Sequence, residues 1–331
     1  MINATPARPA QITAAADAIR QGQLVAFGTE TVYGLGGDAT NPDAVARIYA
    51  AKGRPAFNPL ISHIETTSRA FDFGLPTLIG QQLADAFWPG PMTLILNRIM
   101  APNHGPAVCD LATAGLDSIA LRVPAKAQAR QFLAECGCPV AAPSANRSGR
   151  ISPTRATHVM EELGGARELA MILDMGPAED GVESTVIDAR GEVPLVLRPG
   201  SITPNMIEMA TGFAPQAPGQ GIISPGQMES HYAPSKPVAL NITTPQASDV
   251  MIGFGPINGD VNLSPAADLV EAAANLYHMM RQADMMAGKR IAIAPVPEDG
   301  LGIAINDRLR RAAADRPLDH TSEHSNEYPS G

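Results

Sequence analysis

The chain has 331 residues, of which 45% are hydrophobic, 17% charged and 4% aromatic. It therefore has enough apolar material for more than one buried core. Its formal net charge is −9, and an acidic chain repels nucleic acid and anionic membranes unless a local basic patch overrides the average. No run of basic residues is longer than the pair Arg310-Arg311, which disfavours a protein whose main task is to bind RNA.

The cysteines and the amino-terminal residues indicate the cellular compartment. Cys109, Cys136 and Cys138 are an odd set, and two of them are only one residue apart, so they do not suggest a disulfide framework. The first residues lack the basic and apolar regions of a signal peptide, and no apolar stretch is long enough to span a membrane. These features predict a soluble, cytoplasmic protein with no membrane partner.

Short apolar strands alternate with helices over the first 212 residues, which predicts an α/β domain. Several strands follow one another through short turns, so we expect a mixed sheet. A helix should begin at the capping residue Asn41 and end at Gly53. Further helices are predicted over 77–87 and over 154–163, the latter with Thr154 as its cap. Strands are predicted at 24–27, 60–64, 92–96, 119–123, 140–142, 184–187 and 195–197.

The composition changes after residue 212. Residues 213–237 are rich in Pro, Gly, Gln and Ser, which is typical of a linker. Residues 238–316 again combine strands (238–242, 251–254 and 291–294) with a long helix (266–286), which predicts a small α/β domain of Rossmann-like pattern. The polar tail, residues 317–331, is expected to be disordered.

Four polar clusters interrupt the apolar pattern, although the sequence has no phosphate loop, nucleophile elbow or zinc-binding helix. The first, Gly28–Gly37, contains glycines that permit a close backbone approach to a ligand, but taken alone it is more typical of an ordinary turn. The second contains Lys52 and Arg54, two cations suited to phosphate. Lys52 could instead complement its helix dipole, and His63 in the next strand could be a core residue.

The third and fourth clusters place polar residues at strand ends. Arg122 occupies an apolar strand, and a buried charge needs an anionic partner, either a ligand carboxylate or an internal Asp or Glu. Ser144 and Asn146 follow another strand, where they could bind a nucleotide or cap a turn. Ser184 and Arg198 form a similar pair further along the chain.

Together these clusters resemble the YrdC-type threonylcarbamoyl-AMP synthases. The matching runs are TETVYGLGGDA, KGRPAFNPLISHI, WPGPMTLIL, LRVPA, APSANRSGRISPT, GVESTVID and LRPGSIT. The run SPGQMESHYAP and the domain after it resemble the long form of the family. The resemblance implies a YrdC-like mixed twisted sheet with helices (1–212), a linker that serves as an active-site lid (213–237) and a small Rossmann-like C-terminal domain (238–316).

The resemblance also implies a reaction. Such nucleotidyltransferases make L-threonylcarbamoyl-adenylate and pyrophosphate from L-threonine, bicarbonate and ATP. The product supplies the threonylcarbamoyl group for the tRNA adenosine next to the anticodon, through a separate transfer complex. We expect Mg²⁺ to accompany ATP, without assigning it a ligand, and the family also allows for a weak contact with tRNA.

Individual roles follow from the same resemblance. Lys52 and Arg54 are expected to be catalytic and to bind the ATP phosphates. The other ATP-binding residues that it implies are Asn58, Ser118, Ser144, Asn146, Ser152, Arg198 and Tyr232. The threonine-binding residues that it implies are Thr29, His63, Arg122, Ala142 and Ser184.

Three other functions remain as alternatives. An RNA-binding or ribosome-maturation factor is disfavoured by the acidic charge. A relative that handles carbamoyl phosphate would carry acylphosphatase-like and zinc-finger regions, and this sequence has neither. A catalytically silent scaffold is disfavoured by the intact KxR and SxN pairs.

Overall fold

The computed structural model describes residues 2–217 and 231–314. The strands of the first range are β1 (Ala4–Pro6), β2 (Leu24–Gly28), β3 (Tyr33–Asp38), β4 (Ile61–His63), β5 (Gly74–Leu75), β6 (Met92–Arg98), β7 (Ser118–Arg122), β8 (Val140–Ala141), β9 (Leu169–Asp174), β10 (Thr185–Asp188) and β11 (Leu195–Arg198). Its helices are α1 (Pro9–Arg20), α2 (Pro42–Lys52), α3 (Thr67–Ala70), α4 (Leu78–Phe87), α5 (Asp110–Thr113), α6 (Ala127–Cys136), α7 (Ala156–Leu163) and α8 (Pro204–Thr211). The second range contains β12 (Val238–Ala239), β13 (Asp249–Gly253), β14 (Val261–Asn262), β15 (Arg290–Ile293), α9 (Leu269–Met285) and α10 (Gly302–Ala313).

The strands of the first range form one 11-stranded mixed sheet, which confirms the expected fold class. Their order is β1-β9-β2-β3-β8-β4-β7-β6-β10-β11, with β5 paired to β6. The strand β4 runs parallel to β7 in a register that sets His63 opposite Arg122. Two residues that are distant in sequence therefore become neighbours in the middle of the sheet.

The second sheet is small and parallel, as the Rossmann-like pattern predicts. Its order is β12-β15-β13-β14, and all of its pairs are parallel. Parallel strands need crossovers, and α9 supplies the longest one, between β14 and β15. Residues 238–314 thus form an α/β layer of their own.

The hydrophobic core of this second layer extends into the first part of the chain. Buried residues of α9, α10 and the small sheet form one cluster with Val32, Ile151 and Val182. Tyr232, which lies within the predicted linker, belongs to the same cluster. The two parts are therefore packed together through apolar burial, the dominant favourable contribution to association.

Helix capping agrees with the sequence at two sites and differs at a third. The Asn41 side chain accepts hydrogen bonds from the backbone N–H groups of Asp43 and Ala44, and Gly53 ends α2 in the left-handed conformation with φ 60°. The prediction that Thr154 caps α7 is wrong, because α7 begins at Ala156 after Arg155. The backbone N–H of Thr154 is instead bound by His158 Nδ1, at 3.2 Å.

Other differences concern element bounds. The run Gly28–Gly37 is not simply a turn, because Tyr33–Asp38 forms β3 in the middle of the sheet. The long helix begins at Leu269 rather than at residue 266, and its cap is Asp268. No helix among residues 2–217 and 231–314 is long and apolar enough to cross a membrane. The expectations for most of the linker and for the tail lie outside the described residues.

Candidate active site

A cavity lies between the large sheet and the segment that carries Tyr232. It brings together many of the residues named from the sequence: Thr29, Arg54, His63, Arg122, Ala142, Ser144, Ser184, Arg198 and Tyr232. Its volume is about 60 Å³, much less than the ~300–1,000 Å³ typical of ligand pockets. This cavity alone is therefore too small for a whole nucleotide.

Thr29 begins a tight polar turn after β2. Its hydroxyl donates to the carbonyl of Val32 at 2.7 Å and accepts from the backbone N–H of Thr31. It also lies 2.9 Å from the hydroxyl of Thr31. These bonds satisfy the backbone at the end of a buried strand and fix both hydroxyls beside the cavity.

Arg122 has an internal carboxylate partner. Its Nη2 lies 2.5 Å from Glu30 Oε1, and its Nη1 donates to Thr31 Oγ1 at 2.8 Å. Its Nε also donates to the carbonyl of Gly90 at 3.4 Å. A guanidinium has five N–H donors, so these three contacts do not exhaust it. Of the two partners left open by the sequence, the structure contains the internal acid.

Lys52 and Arg54 lie at the end of α2 but have different surroundings. The Lys52 ammonium donates to the backbone carbonyls of Ser144 and Asn146, so it supports the loop after β8 and lies outside the cavity wall. Burial, and secondarily the charge of Arg54, hold the pKa of Lys52 well below its usual value. Arg54 reaches the cavity, and burial lowers its pKa to about 10.

Arg198 supports Ser184 on the opposite wall. Its Nε and Nη2 both donate to the carbonyl of Ser184, and Nη2 also donates to the Ser184 hydroxyl at 3.1 Å. That hydroxyl lies 2.8 Å from Thr93 Oγ1 on β6. Burial lowers the pKa of Arg198, and the charge of Arg308 acts in the same direction.

Several residues named from the sequence do not reach this wall. Asn58 and Asn146 are buried beside it, and the side-chain carbonyl oxygen of each has no hydrogen-bond partner among the described residues. Ser152 is fully buried and donates to Glu183 at 2.6 Å. Ser118 lines a second cavity of about 150 Å³, which shares Pro59 and Leu60 with the first.

Sequence reasoning missed two ionisable residues in the cavity wall, Glu183 and His231. Glu183 stands beside Ser184 in the run GVEST, and His231 precedes Tyr232 in HYAP, so their adjacency to named residues was the available signal. Burial holds the pKa of His231 at about 3, although Glu183 acts in the opposite direction. Burial and the charge of Arg122 likewise lower the pKa of His63 to about 3, so both imidazoles are neutral near pH 7.

The described residues do not provide a protein cage for a divalent metal ion. They contain no group of three or more His, Cys, Asp or Glu side chains that could hold one. The carboxylate on the cavity wall, Glu183, already accepts hydrogen bonds from Ser152, Tyr277 and Arg308. Mg²⁺ usually takes one or two carboxylates together with substrate phosphates, and the carboxylate here is not free for that role.

A mixed α/β architecture with cations and hydroxyl groups around one cavity is typical of an enzyme that acts on anionic substrates. Two family models match the chain: the Sua5/YciO/YrdC model, described as telomere recombination, over residues 17–200, and the threonylcarbamoyl-AMP synthase C-terminal domain, over residues 202–314. The chain belongs to the Sua5/YciO/YrdC family, in the form that carries the threonylcarbamoyl-AMP synthase C-terminal domain.

Individual relatives agree with this classification. The threonylcarbamoyl-AMP synthase of Bacillus subtilis is 39% identical, over 93% of this chain and 94% of its own. Pyrococcus abyssi Sua5 in complex with L-threonine superposes with a TM-score of 0.83 at 37% identity, over 92% of this chain and 95% of that one. A P. abyssi Sua5 variant with a histidine and a tyrosine replaced by alanine also gives 0.83, at 34% identity over 95% and 96%.

Proposed function

We propose that this chain makes threonylcarbamoyl-AMP and pyrophosphate from L-threonine, bicarbonate and ATP. The names of its relatives support this reaction, and the product would serve a separate complex that modifies tRNA. The observation that carries the proposal is a set of buried cations with too little negative charge. Among the described residues, no carboxylate forms an ion pair with Lys52, Arg54 or Arg198, although Lys52 and Arg198 are buried and Arg54 is half-buried.

The triphosphate of ATP would supply the missing negative charge. Burying a cation costs free energy unless an anion compensates it, and the Nε of Arg54 has no hydrogen-bond partner within the described part of the chain. Arg54 and Arg198 face the cavity and would contact the phosphates directly. Lys52 would act with them through its charge and through the Ser144–Asn146 loop that it supports.

The adenine end of ATP would occupy the second cavity. Ile95, Ala120 and Leu197 give this cavity apolar walls, which suit a flat base, and Ser118 provides a hydroxyl at its edge. It adjoins the first cavity through Pro59 and Leu60. Asn58, Asn146 and Ser152 would complete the nucleotide site once the wall has opened.

L-threonine would bind at the other end of the cavity. The remaining N–H groups of Arg122 would take its carboxylate, as charge-assisted hydrogen bonds favour. Thr29, His63, Ser184 and the carbonyl of Ala142 surround the same space and would contact the rest of the amino acid. His63 is neutral at pH 7 and would accept or donate a hydrogen bond there without adding charge.

The reaction would join two anions. The threonine amine and bicarbonate give a carbamate with loss of water. A carbamate oxygen then attacks the α-phosphorus of ATP, the bond to the bridging oxygen of the β-phosphate breaks, and pyrophosphate leaves. Fixed positive charge at Arg54, Arg198 and Lys52 would lower this barrier by stabilising the charge that develops.

Mg²⁺ and the lid complete the proposal. Mg²⁺ would arrive with ATP and be held by phosphate oxygens, and we assign it no protein ligand and no step. Tyr232 and its neighbours would serve as the movable wall that admits ATP and then excludes water from the adenylate. Residues 1–212, 213–237 and 238–316 would thus act as catalytic domain, linker and C-terminal domain.

Pyrophosphate release tests this function. Release by the wild type should require ATP, bicarbonate and L-threonine, and L-serine should replace L-threonine poorly. Arg54→Ala should lower kcat/KM roughly 10²- to 10³-fold, the range for loss of one preorganised charged donor. Lys289→Ala removes an exposed cation and should leave kcat/KM unchanged. ATP binding without threonine-dependent release would refute the synthase and favour the RNA-binding alternative.

A further inference from the structure

A buried hydrogen-bonded network joins the C-terminal domain to the floor of the cavity. At its centre is Glu183, whose Oε1 accepts from the Ser152 hydroxyl at 2.6 Å. Its Oε2 accepts from the hydroxyl of Tyr277 at 2.7 Å and from Nε of Arg308 at 2.8 Å. Tyr277 lies on α9 and Arg308 on α10, so two elements of the second domain bind one carboxylate of the first.

This network is fully buried and holds Glu183 ionised. The side chain of Arg308 is 0% exposed and that of Glu183 is 7% exposed. Burial alone would raise the pKa of Glu183, but Arg308 and Arg198 beside it lower that pKa to about 2. Asp307 also pairs with Arg308, at 2.7 Å, so the arginine has anionic partners on both sides.

A buried ion pair is weak evidence for stability, because well-packed apolar residues often stabilise a core as much or more. Its presence at a domain contact therefore calls for another explanation. The geometry supplies one, because a charged and fully hydrogen-bonded carboxylate has one defined position. Groups that depend on Glu183 for their own position are held equally well.

Those dependent groups lie in the cavity wall or directly behind it. Glu183 and Ser184 both line the cavity, and Ser152 is fixed by Glu183. Arg308 also donates to the backbone carbonyl of Glu183 at 3.4 Å, one residue before Ser184.

The same two residues contact Tyr232. The Tyr277 ring stacks on the Tyr232 ring with centroids 5.6 Å apart and an interplanar angle of 29°. The Arg308 guanidinium carbon lies 5.4 Å from the centroid of Tyr232, within the range of a cation–π contact. Tyr232 itself is in the left-handed region with φ 63°, a conformation that a non-glycine residue keeps only when its surroundings enforce it.

We propose that Arg308 and Tyr277 are positioning residues of the active site, which fix Glu183, Ser152 and Ser184 on one side and, on the other, hold the Tyr232 ring in its closed position over the cavity. Neither residue needs to touch a substrate. This inference rests on the synthase function proposed above, and it makes the C-terminal domain part of the catalytic apparatus. Without these two side chains the wall segment and the tyrosine would each have several positions.

Steady-state kinetics of full-length variants test the inference. Arg308→Met keeps the length and removes the charge, Arg308→Lys keeps the charge but not the forked donors, and Tyr277→Phe keeps the ring but not the hydroxyl. We expect kcat/KM for pyrophosphate release to fall roughly 10- to 100-fold in Arg308→Met, as small displacements in active sites do. Arg308→Lys should restore part of this loss, and Tyr277→Phe should show a smaller one.

The control separates positioning from folding. Arg290→Met removes an arginine of the same domain that pairs with Asp249 at 3.0 and 2.7 Å and lies outside the cavity wall. Circular dichroism measures the Tm of each variant, and all activity assays are run well below that temperature. A purely structural role would lower Tm in Arg308→Met and Arg290→Met alike and leave kcat/KM of the folded enzyme at the wild-type value, and that result would overturn the inference.

A failure of the proposed function would look different. In that event the wild type itself would show no threonine-dependent pyrophosphate release. The positioning role is then tested by the Kd for ATP, which calorimetry measures on the same proteins. A Kd raised at least tenfold in Arg308→Met and not in Arg290→Met would support positioning, and equal Kd values in both variants and the wild type would overturn it.

Discussion

Arg54, Arg198 and Lys52 give the cavity its electrostatic character. The carboxylate nearest to them on the wall, Glu183, is already bound by Arg308 and by two hydroxyls. Positive charge around the cavity is therefore in excess. Burial is the main cause of the lowered pKa values of Lys52 and Arg54, and the charges of Arg54 on Lys52 and of Arg198 on Arg54 act in the same direction. A site of this kind favours an anion with several charges over a neutral ligand.

Arg122 should determine the affinity for threonine. In Arg122→Lys a single ammonium group replaces the forked N–H donors of the guanidinium. Glu30 and Thr31, which bind Arg122 in this structure, then compete with threonine for that ammonium. We expect KM for L-threonine to rise roughly 10- to 100-fold, which corresponds to about 1.5–3 kcal/mol for a charged hydrogen bond, while KM for ATP changes little.

The matched control for Arg122 is Arg98→Lys. Arg98 is a largely buried arginine of the neighbouring strand β6 that binds Asp110 and does not line the cavity. Its replacement should cost stability without raising KM for threonine. Equal KM values in the wild type and in Arg122→Lys would remove Arg122 from the threonine site.

His158 should make stability depend on pH. Burial, Arg281 and His278 lower its pKa from 6.5 to about 3, so between these values the unfolded chain binds a proton that the folded chain does not. Stability is therefore lost as pH falls from about 6.5 toward 3. His158→Asn keeps an acceptor for the Thr154 N–H without the titration. In this variant the free energy of unfolding should change with pH less steeply than in the wild type, by about 1.4 kcal/mol per pH unit.

Urea unfolding at pH 7, 6 and 5 and constant ionic strength measures this slope. The difference between the two proteins isolates His158, because the other histidines with lowered pKa values, His63, His231 and His278, are present in both. Parallel slopes for the wild type and His158→Asn would contradict the prediction.

The strand β3 shows why glycine misleads a sequence-based prediction. A run such as YGLGG has the composition of a turn, yet here it lies in the middle of the sheet. A Cβ on Gly36 would stand 2.8 Å from Val140 Cγ1 and 3.0 Å from the Phe27 ring. The glycines make room for neighbouring side chains, and only the tertiary structure reveals those neighbours.

Gly181 should control the contact between α9 and the loop that precedes Glu183. It has φ +70°, and a Cβ there would lie 2.2 Å from the carbonyl oxygen of Ala273 on α9. Gly212 has φ +77° with no heavy atom within 4 Å of such a Cβ among the described residues, so it is the matched control. Both alanine variants carry the backbone strain, but only Gly181→Ala adds a clash.

We therefore expect Gly181→Ala to lower the free energy of unfolding by about 1–3 kcal/mol more than Gly212→Ala does, the usual range for overpacking. It should also lower kcat/KM, because the clash pushes α9 and Tyr277 away from Glu183. Urea unfolding and pyrophosphate release measure the two effects. Equal destabilisation by both substitutions would show that α9 adjusts without strain.

At the scale of the whole molecule, the sequence predicts the parts better than their arrangement. Periodicity and capping residues located α2, α4 and most strands, because these signals are local. The strand order depends on contacts between residues that are distant in sequence. The contact between Arg308 and Glu183, which are 125 residues apart, is of the same kind. Tyr277 and Arg308 carry no local signal, since both resemble ordinary residues of an amphipathic helix.

The candidate site was predicted through motif resemblance more than through physical pattern. Reasoning from the residues alone left two possible partners for Arg122 and two possible roles for Lys52. It assigned no role to Glu183 or His231. The fold then brought Thr29, Arg54, Arg122, Ser184 and others to one cavity. Their individual contacts with substrate stay predictions until a bound ligand is seen.

Direct detection of the product tests the central claim most directly. Purified protein is incubated with ATP, L-threonine and ¹³C-bicarbonate, and the nucleotides are separated and identified by mass spectrometry. The account predicts an adenylate that contains threonine and one bicarbonate carbon, formed together with pyrophosphate and absent when any substrate is omitted. ATP cleaved without that adenylate, or an adenylate without the labelled carbon, would contradict it.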